Sequence, residues 1–398
     1  MPRCSPAPKS ETRDHARRAS LLAEAPTDLL RVRTMIAGIH DDCLHFNGYK
    51  PCRPHKETGV HCDGCPSYRK ADLRVLVLKV GLAGEVLRCT PLLRRIRALH
   101  PRAEITWVTS FPDFVPTAHV DRVLKHSWET SLRLLAEDFD LLLSLDKDFE
   151  VCALAGRISA REKRGFGLNR SGRIVPLDAR AEAKWTTGVL DDRMKANTKH
   201  YVREMFELCG WEWQDETYIL EGFPRNFAKP ADAPLIGLNT GASDVWRTRL
   251  WPDAHWAALI RAIQAKGWHP LLLGGPAEDG RNRALAAGTG ARYEGVRPPK
   301  EFFGLVETTD VVVTAVTMAM HVAIALEKPV VLFNNIFNGH EFHLYGRGVR
   351  LEPGLPCQAC YQPRFDDRCP VKDCMELIAP ERVVDAVEAW LPGREGRP

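Results

Sequence analysis

The sequence predicts an α/β protein made of two successive halves, each a parallel sheet with covering helices, and three observations carry that prediction. An apolar, β-branched run from Val75 to Val80 meets a Gly81-x-x-Gly84 turn, followed by apolar residues at Val86, Leu87, Leu92, Leu93, Ile96 and Leu99. That is the pattern of a strand, a tight loop and an amphipathic helix. Pro224, Pro230 and Pro234 then break the chain with few apolar residues between them. From Leu235 the same strand, loop and helix logic starts again. A chain of 398 residues has ample length for two cores.

Composition bounds the partners. A net charge of +4 is too small to argue for a nucleic-acid partner. No run of about 18 apolar residues suggests a membrane span. Residues 1–35 lack the apolar region of a secretory signal, being rich in Arg, Ala, Pro and Ser with seven Lys/Arg against four Asp/Glu. They read as a flexible tail of a cytoplasmic protein, with peripheral contact to anionic lipid at the inner membrane as the minor alternative.

Residues 36–71 form a cysteine-rich module: Cys43, Cys52, Cys62 and Cys65 follow the spacing C-x8-C-x9-C-x2-C, with His40, His55 and His61 interspersed. Polar residues, Gly and Pro fill the gaps, so the segment buries little core and a metal would supply the missing folding energy. A second quartet, Cys357-x2-Cys360-x8-Cys369-x4-Cys374, forms a C-terminal loop, while Cys4, Cys89, Cys152 and Cys209 are scattered. Without a secretion signal, and with a C-x2-C pair in each quartet, structural metal ligation is favoured over paired disulfides. The choice between zinc and iron stays open.

In residues 72–225, Val75–Val80, Ile105–Val108 and Leu141–Leu145 read as strands. The Gly81/Gly84 loop after the first places bare amides and a helix start at the C-terminal edge of the sheet, where open α/β folds bind ligands. Glu85, in the first helical turn, is either a carboxylate complementing the helix dipole or a catalytic base at a cleft. A nicotinamide site fits poorly, since one of three glycines is missing and Glu104 opens the second strand instead of closing it. Asp146-Lys-Asp148 after the third strand resembles a cation-binding pair but is more simply a loop acid capping a helix. The basic run Ala160–Gly167 reads as a solvated charge run, with an anionic acceptor as the sharper reading. Trp211 and Trp213 read as local packing.

In residues 226–391, the strand Leu235–Leu238 ends in Asn239-Thr-Gly241-Ala-Ser243, and Trp246, Arg247, Arg249, Trp251 and Pro252 lead into the next helix. Small residues let amides approach phosphates, and the arginines add fixed positive charge with bidentate geometry. Strand 270–273 presents Gly274, Gly275 and Glu278, an acid suited to ribose hydroxyls or to a helix start. Strand 310–314 leads to Val316, Thr317, Met318 and His321 at the head of an apolar helix, where Thr317 and the amides suit a diphosphate and His321 a buttress. The polar, aromatic segment from Asn334 to Tyr345 reads as a cleft loop, and a helix from about Pro380 to Trp390 packs back through Val383, Val384, Val387 and Leu391.

The turn Gly81-x-x-Gly84-Glu85-Val86 with Pro91 and Leu92, the Gly-Ala-Ser loop with Arg249-Leu-Trp-Pro252, and the Thr317–His321 helix together resemble glycosyltransferase family nine, the bacterial heptosyltransferases, over roughly residues 72–391. The resemblance implies the GT-B architecture, two Rossmann-like domains facing a cleft, with acceptor on 72–225 and nucleotide-sugar on 226–391. It implies Glu85 as the base, in place of the usual Asp. Gly241, Ser243, Arg247, Arg249, Glu278, Thr317, Met318 and His321 become donor residues, with Gly81, Gly84 and Asn334 beside the ligand. Position 316 carries Val where the family has an acid. The donor implied is ADP-heptose, and the acceptor a lipopolysaccharide-core-like glycan or a protein. Members acting on autotransporter proteins carry a four-cysteine iron site late in the chain, similar to residues 357–374.

The expected chemistry is a single displacement with inversion and no catalytic metal, so both Asp146→Asn and Asp148→Asn should be mild. The rival from another class is a catalytically silent sugar-nucleotide-binding protein with structural metal modules.

Overall fold

The computed structural model describes residues 36–242, 246–363, 369, 371 and 373–391; the expected tail 1–35 and Ser243 lie outside them. The chain divides into two compact units, Met1–Lys70 and Ala71–Pro398. In the first, Cys43 bridges Lys70 in antiparallel fashion and one short helix, α1 (Arg53–Thr58), follows Cys52. Pro54 alone among residues 36–70 is fully buried, so this module has no apolar core.

The second unit contains two sheets. The first is built from β1 (Arg74–Leu78), α2 (Ala83–Cys89), α3 (Pro91–Leu99), β2 (Glu104–Thr109), β3 (Arg122–Lys125), α4 (Trp128–Leu135), β4 (Asp138–Ser144), α5 (Phe149–Arg157), β5 (Ser159–Leu168) and β6 (Ile174–Pro176), followed by α6 (Glu182–Val189), α7 (Asp191–Ala196) and α8 (Tyr201–Leu208). Its strand order is β3-β2-β1-β4-β5-β6, parallel except for the β5/β6 pair. β1 is central and covered on both faces, which is why its sequence is a continuous apolar run with no alternation. The helical pattern after it is two helices, not one: Pro91 begins α3 at a position where its missing N–H costs nothing. The basic run Ala160–Gly167, expected as a solvated charge run, is strand β5, and its charges are partly engaged: Arg164 pairs with Glu162 and donates to the Cys209 carbonyl.

The second sheet comprises β7 (Leu235–Asn239), α9 (Asp253–Ala265), β8 (His269–Leu273), α10 (Asp279–Thr289), β9 (Arg292–Tyr293), α11 (Pro299–Glu307), β10 (Val311–Ala315), α12 (Met318–Ala325), β11 (Val330–Phe333) and β12 (Gly348–Leu351). The strands are parallel in the order β12-β11-β10-β7-β8-β9. The closing helix α13 (Pro380–Trp390) buries Val383, Val384 and Val387 in the same core as Ile260 and Ile263 of α9.

In each sheet the strand order reverses beside the first strand, between β1 and β4 and between β7 and β10. Those reversals open the crevices in which α/β sheets hold ligands. The head of α2 leaves the first crevice and the head of α12 the second, and the two helices pack on each other.

Candidate active site

Glu85 sits in the first turn of α2 with its side chain about one-third exposed at 32 %. Its Oε2 accepts a 2.5 Å hydrogen bond from Nζ of Lys79, a lysine only 1 % exposed that ends the apolar run of β1. Lys79 also donates to Asp146, just past β4, and the other Asp146 oxygen accepts the amides of Val80 and Gly81. The sheet thus brings the two residues flanking its switch point onto one buried ammonium. Burial by itself would raise the Glu85 carboxyl, but Lys79 and then Arg88 outweigh it and hold it below the usual carboxylate range. Burial opposes the charge on Lys79 as well, yet Tyr201, Glu85 and Asp146 around it keep its pKa well above that of an ordinary lysine.

Asp146 is therefore held by three protein donors, the Lys79 ammonium and the amides of Val80 and Gly81. Asp148 stands at the head of α5, its carboxyl raised by partial burial and by Asp146. Arg88, one turn beyond Glu85, is buried over the Tyr201 ring at 3.8 Å and donates to Glu341 at 2.8 Å, tying α2 to the loop after β11. Gly84 is required by close approach: a Cβ there would overlap the ring of His321 on α12. His321 is buried, and burial first of all, with Arg88 second, drives its pKa well below the ordinary value, so the ring is neutral and acts as a buttress between the halves.

At the second crevice Arg249 is buried at 6 % exposure. Its two terminal nitrogens donate to the carbonyls of Val316 and Ala242, its Nε has no partner, and no carboxylate pairs with it among the described residues. Burial lowers its pKa to about 10, the sign of a cation that has given up water without gaining a counter-ion. Thr317 caps α12 in extended conformation without bonding its amides; its hydroxyl instead meets Thr314 at 3.1 Å and accepts from Asn239 at 3.2 Å. The first amides of α12, from Met318 on, receive no bond from the Thr317 side chain. Gly241 packs so closely on Glu278 that a Cβ would collide with its carboxylate, and Glu278 Oε2 accepts the Gly275 amide at 2.8 Å. Arg247 is exposed beside these groups.

Asn334 is buried, its Nδ2 donating to the Phe337 carbonyl and to Glu352, both at 3.0 Å, while its Oδ1 has no partner among the described residues. The rest of that loop holds the halves together: Asn338 donates to carbonyls of Met194 and Asn197, Tyr345 to that of Glu216, and His343 stacks on His200 beside Trp213. Trp213 is packing, as expected. Lys79, Arg88 and Glu341 were missed by sequence reasoning; a single lysine directly after the apolar run of β1 was the one available signal.

The eight quartet thiols are free, not paired in disulfides. Cys43, Cys52, Cys62 and Cys65 line one cavity of about 170 Å³, and Cys357, Cys360, Cys369 and Cys374 another of about 30 Å³. Against the expectation of formed metal sites, no group of three or more His, Cys, Asp or Glu among the described residues is closed up so as to hold an ion. At the C-terminal quartet, Cys369 Sγ is turned to the Val371 carbonyl at 3.0 Å and Cys374 Sγ accepts from Asn335 at 3.2 Å.

Two successive Rossmann-like parallel sheets, each with a crevice at its switch point, are the GT-B architecture. The chain belongs to glycosyltransferase family 9 (heptosyltransferase), whose profile matches residues 128–337. It is 24 % identical over 141 residues to the lipopolysaccharide core heptosyltransferase OpsX of Haemophilus influenzae; the match takes in 32 % of this chain and spans about two fifths, 41 %, of that relative. The structure of ADP-heptose LPS heptosyltransferase II from Escherichia coli superposes with a TM-score of 0.58 at 17 % identity, covering 80 % of this chain and 98 % of the other. The iron-containing dodecameric glycosyltransferase TibC from enterotoxigenic E. coli gives 0.51 at 14 % identity, covering 80 % and 76 %.

Proposed function

We propose that this chain is an inverting glycosyltransferase that moves a heptosyl group from ADP-heptose to a hydroxyl of a lipopolysaccharide-core-like glycan or a protein. The observation that carries the reading is the pair of opposed charges at the two crevices: the anionic Glu85 at the first and, at the second, Arg249, which has no carboxylate partner among the described residues. Glu85 accepts the acceptor proton as the hydroxyl oxygen bonds to the anomeric carbon. The bond from that carbon to the diphosphate breaks with its electron pair leaving on the diphosphate, which Arg249, Thr317 and the amides at the head of α12 stabilise. Arg247 and Glu278 are assigned to phosphate and ribose, and Gly81 and Gly84 to the wall beside the acceptor. Residues 72–225 form the acceptor half and 226–391 the donor half.

A catalytic cation has no place in this reading, because the oxygens of Asp146 are taken by Lys79 and two amides. Both quartets are read as structural metal modules, a reading supported by four free thiols lining each cavity. At the C-terminal quartet, Cys357, Cys360, Cys369 and Cys374 would hold iron or zinc, whose bonds would add folding energy to a loop poor in apolar residues. That TibC is iron-containing supports iron. Residence in the cytoplasm, at or near the membrane where such acceptors are made, follows from the same reading.

The test is transfer from ADP-heptose by Glu85→Gln. Nucleotide binding should persist while transfer falls by about 10²–10⁴-fold, the range of general acid–base catalysis; a folded variant with unchanged turnover overturns the assignment. One observation favours the rival, silent binding reading: Lys79 holds Glu85 as an ion pair, which a merely structural carboxylate would also show. A mass-spectrometric screen of nucleotide-sugars for turnover, hydrolysis included, separates the two.

A further inference from the structure

The loop that carries the C-terminal cysteines is fastened to the two segments that frame Arg249. On one side, the amides of Ala359 and Tyr361, which flank Cys360, donate to the carbonyls of Asn335 at 3.3 Å and Ile336 at 2.9 Å. Both residues have positive φ, 61° and 52°. Residues other than glycine keep that left-handed conformation only where their surroundings hold it. On the other side, the Thr248 hydroxyl donates to the Gln362 carbonyl at 2.7 Å.

Asn335 closes the link. It is 5 % exposed, and its Nδ2 donates to the Thr248 carbonyl at 2.7 Å and to Cys374 Sγ at 3.2 Å. That carbonyl belongs to the peptide joining Thr248 to Arg249, whose N–H donates to the Trp246 carbonyl at 3.2 Å. Both polar ends of the peptide before Arg249 are therefore fixed. Two residues beyond Asn335, the centroid of the Phe337 ring lies 5.2 Å from Cζ of Arg249, and Tyr361 packs edge-on against that ring at 5.3 Å. The Arg249 guanidinium spans two strand ends, the Ala242 carbonyl after β7 and the Val316 carbonyl after β10. A tilt of its own peptide would break that span, because hydrogen bonds weaken steeply with misalignment.

We propose that Asn335 is a positioning residue for Arg249, and that through it the cysteine loop sets the affinity of the donor half for a nucleotide diphosphate. This deepens the reading of Arg249 as the cation that receives the diphosphate and rests on it. No chemistry is assigned to Cys374, whose sulfur is the second acceptor for the Asn335 amide.

The test is calorimetric titration of ADP into the full chain and into its Asn335→Ala, Arg249→Met and doubly substituted variants. Asn335→Ala should weaken ADP binding by about 3- to 10-fold, the worth of one hydrogen bond. In the Arg249→Met background it should weaken binding no further, since residues that act through one another are non-additive while independent losses add. Undiminished affinity in folded Asn335→Ala, or a loss that adds in full to that of Arg249→Met, overturns the proposal and leaves the donor role of Arg249 standing. Undiminished affinity in Arg249→Met overturns both. If Asn335→Ala does not fold, hydrogen exchange decides the matter. Coupling between sites is reciprocal, so saturating ADP should slow exchange of the Ala359 and Tyr361 amides in the parent chain and not in Arg249→Met; any other pattern overturns the proposal.

Discussion

Nζ of Lys79 lies 2.5 Å from Oε2 of Glu85, so a buried lysine just past β1 governs the charge of the carboxylate at the head of α2. A base must be ionised to work, and this one titrates below the usual range because Lys79 and Arg88 outweigh its burial. The acid limb of the pH–rate profile should therefore fall below that of an ordinary glutamate. Lys79→Met removes the largest stabilising charge and leaves desolvation unopposed, so the limb should move to higher pH. An unmoved limb in a folded, active Lys79→Met enzyme would separate the profile from Glu85.

Asp146 and Asp148 look equivalent in sequence, and both were expected to be mild. The structure separates them. Asp146 is buried on Lys79 and two amides, and weakening a buried pair of this kind costs up to about 3–5 kcal/mol. Asp148 is exposed and should cost about 0.5 kcal/mol or less. Urea denaturation of Asp146→Asn and Asp148→Asn reads the difference directly; equal midpoints would mean that the Lys79 network is not a folding element.

Gly84→Ala should lower both stability and transfer. The added methyl meets the ring of buried His321, and overpacking of this kind costs about 1–3 kcal/mol. Since the contact joins α2 to α12, the double variant Gly84→Ala/His321→Ala should recover part of the lost melting temperature. No recovery would show that the strain is absorbed elsewhere.

Arg249 is a cation kept out of water with no carboxylate beside it among the described residues, an arrangement that costs stability and awaits an anion. Replacing it with Met should weaken ADP binding by about 10- to 100-fold, the worth of a charged hydrogen bond. The ligand-free melting temperature should fall little. Calorimetric titration alongside thermal melting tests this, and a large loss of apo stability with undiminished ADP affinity would make Arg249 structural.

Acid stability should depend on Glu137. Its carboxylate meets Arg122 at 2.6 Å, Arg74 at 2.7 Å and Arg133 at 3.1 Å, and although burial opposes ionisation, these arginines bring its pKa down to about 2. A depressed carboxyl contributes stability that is full above its unfolded value of about 4.3 and is lost as pH falls toward the folded one. Glu137→Gln should therefore be less stable than the parent at pH 7 by about 1–3 kcal/mol, the order set by such a shift. The gap should shrink from pH 4.5 to pH 2, and a constant gap across that window would refute the linkage.

Two sheets, their boundary near the prolines and the turn that carries Glu85 follow from local pattern. The spacing of apolar residues fixes period, and glycine fixes where backbone can approach backbone. Arg249 was singled out through the family resemblance of the Arg249-Leu-Trp-Pro252 loop, and the fold adds that its side chain is buried. Tertiary structure decided the partners. That Lys79 would meet both Glu85 and Asp146 depends on β1 and β4 lying side by side, a pairing of residues 67 positions apart along the chain that no local pattern encodes. The inward turn of Asn334 and the strand identity of 160–167 were decided the same way, by neighbours that fold against them. For the cysteines, the sequence determined that eight thiols form two quartets, while only the folded turns set the two cavities apart in size, because volume is a property of how segments close on one another and not of the residues that line them.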